Sequence, residues 1–177
     1  MRRIRDVLRL KYAQGMSERA IAANARLFIA NMGTEPIYVS AIIADYEAAG
    51  ERGTAYITQN DNIRSEDLES ARGATNEGPL ASGDYLDAGS FEDLMARIEM
   101  HGNKRVAPET IERLTLTVAA QTGYSAMTSA GSKAYGVTRE GEDVVFQPEK
   151  MATKQLRGWL ARRRFQKRLE AEMRDAV

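Results

Sequence analysis

The chain has 177 residues, of which 43% are hydrophobic and 28% charged, which suits one packed domain, or a small domain with an appendage, and excludes a disordered or fibrous chain. It holds no cysteine, which excludes disulfides and thiolate metal sites and fits a reducing cytoplasm. No run of about eighteen consecutive apolar residues is present, so no transmembrane helix is expected, and the basic start lacks the apolar stretch of a secretory signal.

The formal net charge of zero conceals a polarity along the chain. Residues 1–31 are basic through Arg2, Arg3, Arg5, Arg9, Lys11, Arg19 and Arg26, against Asp6 and Glu18. Residues 35–93 are acidic, with Arg52, Arg64 and Arg72 as their bases, and residues 150–177 are basic again. Such a pattern serves a nucleic acid at the ends, or pairs one part of the protein, or one subunit, with another.

In chain order, Ile4, Val7, Leu8, Leu10 and Tyr12 predict an amphipathic helix ending near Gln14, with Gly15 as its stop. Ser17 then reads as the N-cap of a second helix carrying Ala20, Ile21, Ala25 and Phe28, with Ala23 to Met32 as one apolar helical run. The residues from Arg2 to Tyr12, followed by Gly15, Met16, Ser17, Arg19, Ile21 and Ala22, resemble the N-terminus of insertion-sequence transposases of the IstA type over residues 1–22. That resemblance implies a helix-turn-helix that contacts DNA. Downstream, nothing resembles the acidic, metal-dependent strand-transfer domain of that family.

Gly33-Thr-Glu-Pro36 breaks the chain, and Pro36 suits the first turn of a helix over Ile37 to Ala49, with Ile37, Val39, Ile42, Ile43 and Tyr46 inward and Gly50 as its end. A helix bearing Asp45 and Glu47 and no arginine is a poor groove reader, so it is expected to be a core helix. A short strand follows around Ala55 to Thr58. Residues 60–90 read as loop, with a short acidic helix from Ser65 to Arg72. The carboxylates Asp61, Glu66, Asp67, Glu69, Asp84 and Asp87 do not follow a calcium-loop spacing and are expected to form a solvated acidic surface.

Ser90 to His101 is a helix signal, with Ser90 as cap and Asp93 at the third position of a capping box. His101, the sole histidine, falls in the last turn and suits a capping role better than a metal or nucleophile partner. Pro108 opens a further predicted helix with Ile111, Leu114, Thr115 and Val118 on one side. Residues 119–136 are rich in small side chains and fit a tight interface or a flexible loop. A hairpin is expected around Gly141, and Pro148 precedes a long basic helix from Lys150 to Ala176, with Leu156, Leu160, Phe165, Leu169 and Met173 as a narrow apolar seam.

The fold class expected from these elements is mainly α, multi-helix with a small β-hairpin. Its organisation is a helical, helix-turn-helix-like segment 1–50, an acidic middle region 51–149 with loop 73–90 and hairpin 135–147, and a basic C-terminal helix 150–177. No paired carboxylate, metal cluster, nucleophile elbow or phosphate loop stands out, so neither an enzyme nor a cofactor is expected. The functional expectation is a non-enzymatic DNA-binding protein of the cytoplasm, with Arg2, Arg3, Arg5, Arg9, Lys11, Arg19, Arg162, Arg163, Arg164 and Lys167 on phosphates. The alternative is a structural or assembly subunit of a larger complex, for instance a phage virion, that self-associates or docks on other subunits through its charged regions.

Overall fold

The computed structural model describes residues 8–12, 21–22, 25–58, 75–123, 128–141 and 143–175. Eleven strands and two α-helices are defined there: β1 (Leu8–Tyr12), β2 (Ile21–Ala22), β3 (Arg26–Asn31), β4 (Ile37–Ala48), β5 (Glu51–Tyr56), β6 (Gly78–Leu80), β7 (Tyr85–Ser90), α1 (Phe91–His101), β8 (Ile111–Thr122), β9 (Ser129–Glu140), β10 (Asp143–Pro148), β11 (Lys154–Gln155) and α2 (Trp159–Asp175). The protein is therefore mainly β, and the mainly α expectation is overturned.

An eight-stranded antiparallel sheet runs β2-β10-β9-β8-β4-β5, with β11 added on β9 and β6 on β4. A second sheet of three strands has the order β1-β3-β7. The three long strands β4, β8 and β9 form the middle of the large sheet. One face carries Ile37, Val39, Ile42, Ala44, Tyr46 and Ala48 of β4, together with Leu114, Leu116, Val118 and Ala120 of β8. Leu27 and Ile29 of β3, Leu86 and Ala88 of β7, and Phe91, Leu94, Met95 and Ile98 of α1 complete this main core. At one end of it Phe91 meets Tyr135 edge-on, with ring centres 5.2 Å apart, and packs on Phe146 at 4.6 Å.

The helix expected over Ile37 to Ala49 is a strand because its inward positions follow a period of two, interrupted once. The register shifts between Val39 and Ala41 where β4 pairs with β8. This β-bulge moves the buried set by one residue, so that Ile42 follows Val39 and mimics a helical spacing. Isoleucine and valine density favours the strand. Beside the bulge the outer pairing of β4 is interrupted, since β6 covers Ile37 to Val39 and β5 covers Ile43 to Ala48. The Thr58 hydroxyl accepts from the Ile42 amide there at 2.9 Å.

Other segments expected as helix or loop are strands as well. The helix expected after Pro108 is a short 3-10 turn, Pro108–Thr110, leading into β8, in which Leu114, Leu116, Val118 and Ala120 alternate. The small-residue segment becomes β9, paired with β8 from Arg113↔Gly136 to Ala120↔Ser129. The first expected helix is replaced over Leu8 to Tyr12 by β1, which pairs with β3 from Leu8↔Asn31 to Tyr12↔Leu27. Both segments present Leu or Ile at alternate positions, and cross-strand partners about twenty residues away stabilise the extended form. Ile21–Ala22 is likewise a strand, on Val145 and Phe146 of β10. No recognition helix follows, since 26–31 and 37–48 are strands, so the helix-turn-helix fold expectation falls as well. The turn itself, residues 13–20, and the acidic helix expected over 65–72 lie outside the described residues.

Locally determined features match expectation. Ser90 caps α1: its Oγ accepts from the Asp93 amide at 3.0 Å, while the Asp93 carboxylate accepts from the Ser90 amide at 2.9 Å. The β9–β10 hairpin turns at Gly141, with φ +69°. The chain break at Gly33 to Pro36 is a turn organised by the buried Asn31, whose Nδ2 donates to Glu35 O at 2.9 Å and to Leu80 O at 3.0 Å, and whose Oδ1 accepts from the Gly33 amide at 2.9 Å. Gly50, expected to end a helix, instead closes the β4–β5 hairpin with Ala49, both at positive φ (80° and 51°).

Candidate functional site

The second face of the large sheet is where α2 lies. Its Leu169, 6% exposed, packs on Ala41 and Ile43 of β4 and Ala119 of β8, with Phe165 and Tyr56 around them. The small side chains at 41 and 119 let a helix approach the sheet closely. Arg168 pins the helix at the β4–β5 side: its guanidinium forks onto the Asp45 carboxylate, with Nη1 to Oδ2 at 3.1 Å, and also donates to the Thr54 hydroxyl at 3.2 Å. A two-pronged Arg–carboxylate contact fixes direction as well as distance. At the other end Arg162 Nε donates to Leu156 O at 3.4 Å, and the preceding segment is tied to β9 by the Leu156 amide on Ala130 O at 2.8 Å.

With Leu169, Phe165, Arg168 and Arg162 turned to the protein, a period of 3.6 residues puts Trp159, Leu160, Arg163, Arg164 and Lys167 on the opposite side. All five are exposed. Trp159 is 56% and Leu160 63% exposed, and the Arg163 guanidinium stands 5.1 Å from the Trp159 ring centre. Lys150, Met151, Lys154 and Arg157, in the segment that leads into α2, are exposed too. From Lys150 to Leu169 the sequence contains no acidic residue. From Trp159 to Lys167 the outer side of α2 is thus cationic with an apolar start, and the exposed Glu170 ends the run.

An open cleft of about 430 Å³ lies beside the inner side of α2, lined among others by Asp45, Glu47, Arg52, Thr54, Arg113 and Arg168. Its charges answer one another. Arg52 Nε lies 3.0 Å from Glu47, and Arg113 is 3.6 Å from Glu47 while also donating to Glu149 at 3.0 Å through Nη2. The Arg113 guanidinium beside it holds the Glu149 carboxyl below the ordinary carboxylate range. Lys104 does the same to Glu51, which it bonds. Burial pushes Glu77 the other way, upward. In the cleft Arg168 ties α2 to Asp45 and Thr54, while the pairs of Arg52 and Arg113 with Glu47 join β5 and β8 to β4.

The expected site residues divide accordingly. Arg163, Arg164 and Lys167 are brought together on the outer side of α2, whereas Arg162 turns to the protein. Arg9 and Lys11 lie on β1, at register positions opposite Ala30 and Phe28; Arg2, Arg3, Arg5 and Arg19 lie outside the described residues. Of the middle carboxylates, Asp87 binds Arg26 Nε at 2.6 Å and Asp84 accepts from the Ala81 amide at 3.2 Å, both local duties; Asp61, Glu66, Asp67 and Glu69 lie outside the described residues. Among the described residues no three His, Asp or Glu side chains converge as for a metal ion, and no helix is long and apolar enough to cross a membrane. Sequence reasoning missed the Arg168–Asp45 pin, whose partners are 123 residues apart, and the exposure of Trp159 and Leu160. The signal for Leu160 was its spacing from Leu169, which at 3.6 residues per turn is about two and a half turns and puts the two on opposite sides of the helix.

Comparison with models of protein families, with curated proteins and with solved structures finds no match to this chain.

Proposed function

We propose that this chain is a non-enzymatic docking subunit of a larger assembly, in which a β scaffold presents a cationic C-terminal helix to an acidic partner. The observation that carries this reading is the outer side of α2, where Arg163, Arg164 and Lys167 follow Trp159 and Leu160 with no carboxylate between Lys150 and Leu169. Cations clustered on one face raise the local concentration of anionic partners and speed their association. Ion pairing of the opposite side of α2 with Asp45 leaves this outer side to a second molecule. The absence of cysteine goes with a cytoplasmic setting, or with the interior of an assembly.

Retention on immobilised heparin is the direct test. The full chain is expected to elute at elevated salt, and the triple variant Arg163→Gln, Arg164→Gln, Lys167→Gln at much lower salt with an unchanged urea midpoint. Co-elution of the two would remove the reading. Light scattering of the full chain at low and high salt shows whether a second copy is the partner.

A second reading, DNA binding, is favoured by one feature: an aromatic ring among cations offers stacking and phosphate contacts together. It differs from the helix-turn-helix expectation in resting on α2. Anisotropy with a labelled DNA at two salt concentrations tests it, since each cation on a phosphate steepens the salt dependence.

A further inference from the structure

We infer that the outer side of α2 is an attachment site for an anionic lipid surface, with Trp159 and Leu160 entering the headgroup layer while Arg163, Arg164 and Lys167 lie on lipid phosphates and carboxylates. The inference rests on the docking reading above and names its partner. Charge selects an anionic occupant, because the stretch from Lys150 to Leu169 is wholly without acidic residues. Apolar exposure narrows the choice. Trp159 and Leu160 stand side by side at the start of α2, and Met151, 58% exposed, adds to the apolar surface of the segment before it. A nucleic acid offers phosphates to the arginines and a stacking face to the tryptophan, yet nothing that covers an aliphatic side chain at the backbone. A lipid headgroup layer takes both kinds of group at once: cations on anionic heads, and Trp and Leu at the boundary of the acyl chains.

The mounting of the helix fits this use. Leu169 and the Arg168–Asp45 fork hold α2 from behind, so the face is present before any partner arrives, and no helix has to fold on binding. That lowers the entropic cost of attachment. Lys150 and Lys154 are exposed as well, in the segment that runs along β9 and leads into α2.

Trp159 is the only tryptophan, so the emission of the full chain reports on this one position. The experiment is vesicle flotation with parallel Trp fluorescence, using phosphatidylcholine vesicles with and without phosphatidylserine. With phosphatidylserine the protein is expected to float, with blue-shifted emission and loss of acrylamide quenching; with phosphatidylcholine alone it stays at the bottom. Replacing Arg163, Arg164 and Lys167 together by glutamine lowers the partition coefficient about a hundredfold, from the typical contribution of one cation near an anionic bilayer. Leu160→Gln lowers it about tenfold. All four positions are exposed, so unchanged urea midpoints show that the variants are folded. Failure to float at low salt, or flotation with unshifted Trp159 emission, overturns the inference. If heparin or duplex DNA is bound while vesicles are not, the lipid partner is wrong and the docking reading stands; if no polyanion is bound, both fall.

Discussion

The pairing of Gly53 with Tyr46 gives a sharp test of the packing described above. These residues face each other across the β4–β5 hairpin, and the tyrosine ring lies over the glycine: a Cβ built on Gly53 would sit 2.2 Å from Tyr46 Cζ. Ordinary contact between carbon atoms needs about 3.5–4.0 Å. The ring has nowhere to go. It is 2% exposed, its hydroxyl donates to Lys104 O at 2.8 Å, and beyond it Gly102 leaves room in the same way, since a Cβ there would lie 2.6 Å from the hydroxyl. Gly53→Ala therefore displaces the ring. Overpacking costs about 1–3 kcal/mol, and loss of the Tyr46 hydrogen bond about 1 kcal/mol. Reduced entropy of the unfolded chain returns about 0.4–1 kcal/mol. The net loss is about 1–3.5 kcal/mol, equivalent to a Tm lower by roughly 2–14 °C in a protein of this size. Urea and thermal unfolding of the single variant measure it. In a Tyr46→Leu background the alanine has space and is expected to be neutral or stabilising. Equal cost in both backgrounds, or a single-variant loss under about 0.5 kcal/mol, would refute the wedge.

Ala49, at φ 51° in the β4–β5 turn, is strained where asparagine is not, so Ala49→Asn is expected to raise stability by about 0.5–1 kcal/mol, seen as a higher urea midpoint. Leu169→Ala removes the chief apolar anchor of α2 from Ala41, Ile43 and Ala119; a loss of about 2–3 kcal/mol is expected, with faster amide exchange in residues 159–175 than elsewhere. Glu149 has its pKa held down by Arg113, so its contribution is present above the ordinary value near 4.5 and is lost as pH falls through the lower folded value. Acid unfolding of Glu149→Gln should accordingly show a shallower loss of stability below that pH, by a small amount because the pair is exposed. Glu77 carries the opposite sign: burial raises its pKa, its favourable contribution exists below the ordinary value and disappears as pH rises through the folded one, and Glu77→Gln should stabilise at neutral pH but not in acid.

Elements whose determinants are a few residues apart were legible in the chain. The capping box of α1 joins Ser90 to Asp93, and the hairpin at Gly141 joins Glu140 to Asp143; both are settled by near neighbours. Gly102 follows His101 at the end of α1, and at φ −65° it needs no left-handed freedom. Its lack of a side chain serves Tyr46, 56 positions earlier in the chain, which no local rule reveals. Ile37 to Ala48 and Ile111 to Thr122 were misread because bulges break the alternation of their buried positions. Their apolar spacings then satisfy a helix as well as a strand, and only pairing along the whole of β4 and β8 decides between the two.

The candidate site divides along the same line. By itself the sequence determined that residues 150–168 are basic without an acid among them and that a helix follows Pro148, since charge and helical period are properties of a short stretch. Tertiary structure decided where that helix begins, at Trp159 after β11, and which side of it faces out. Leu160 had been placed with Phe165 and Leu169 in one seam; Ala41, Ile43 and Ala119 take Leu169, Asp45 takes Arg168, and Leu160 is left outside. The orientation of a helix whose apolar stripe is narrow is set by what it packs against, here a patch of alanines and one aspartate on two strands far away in the chain.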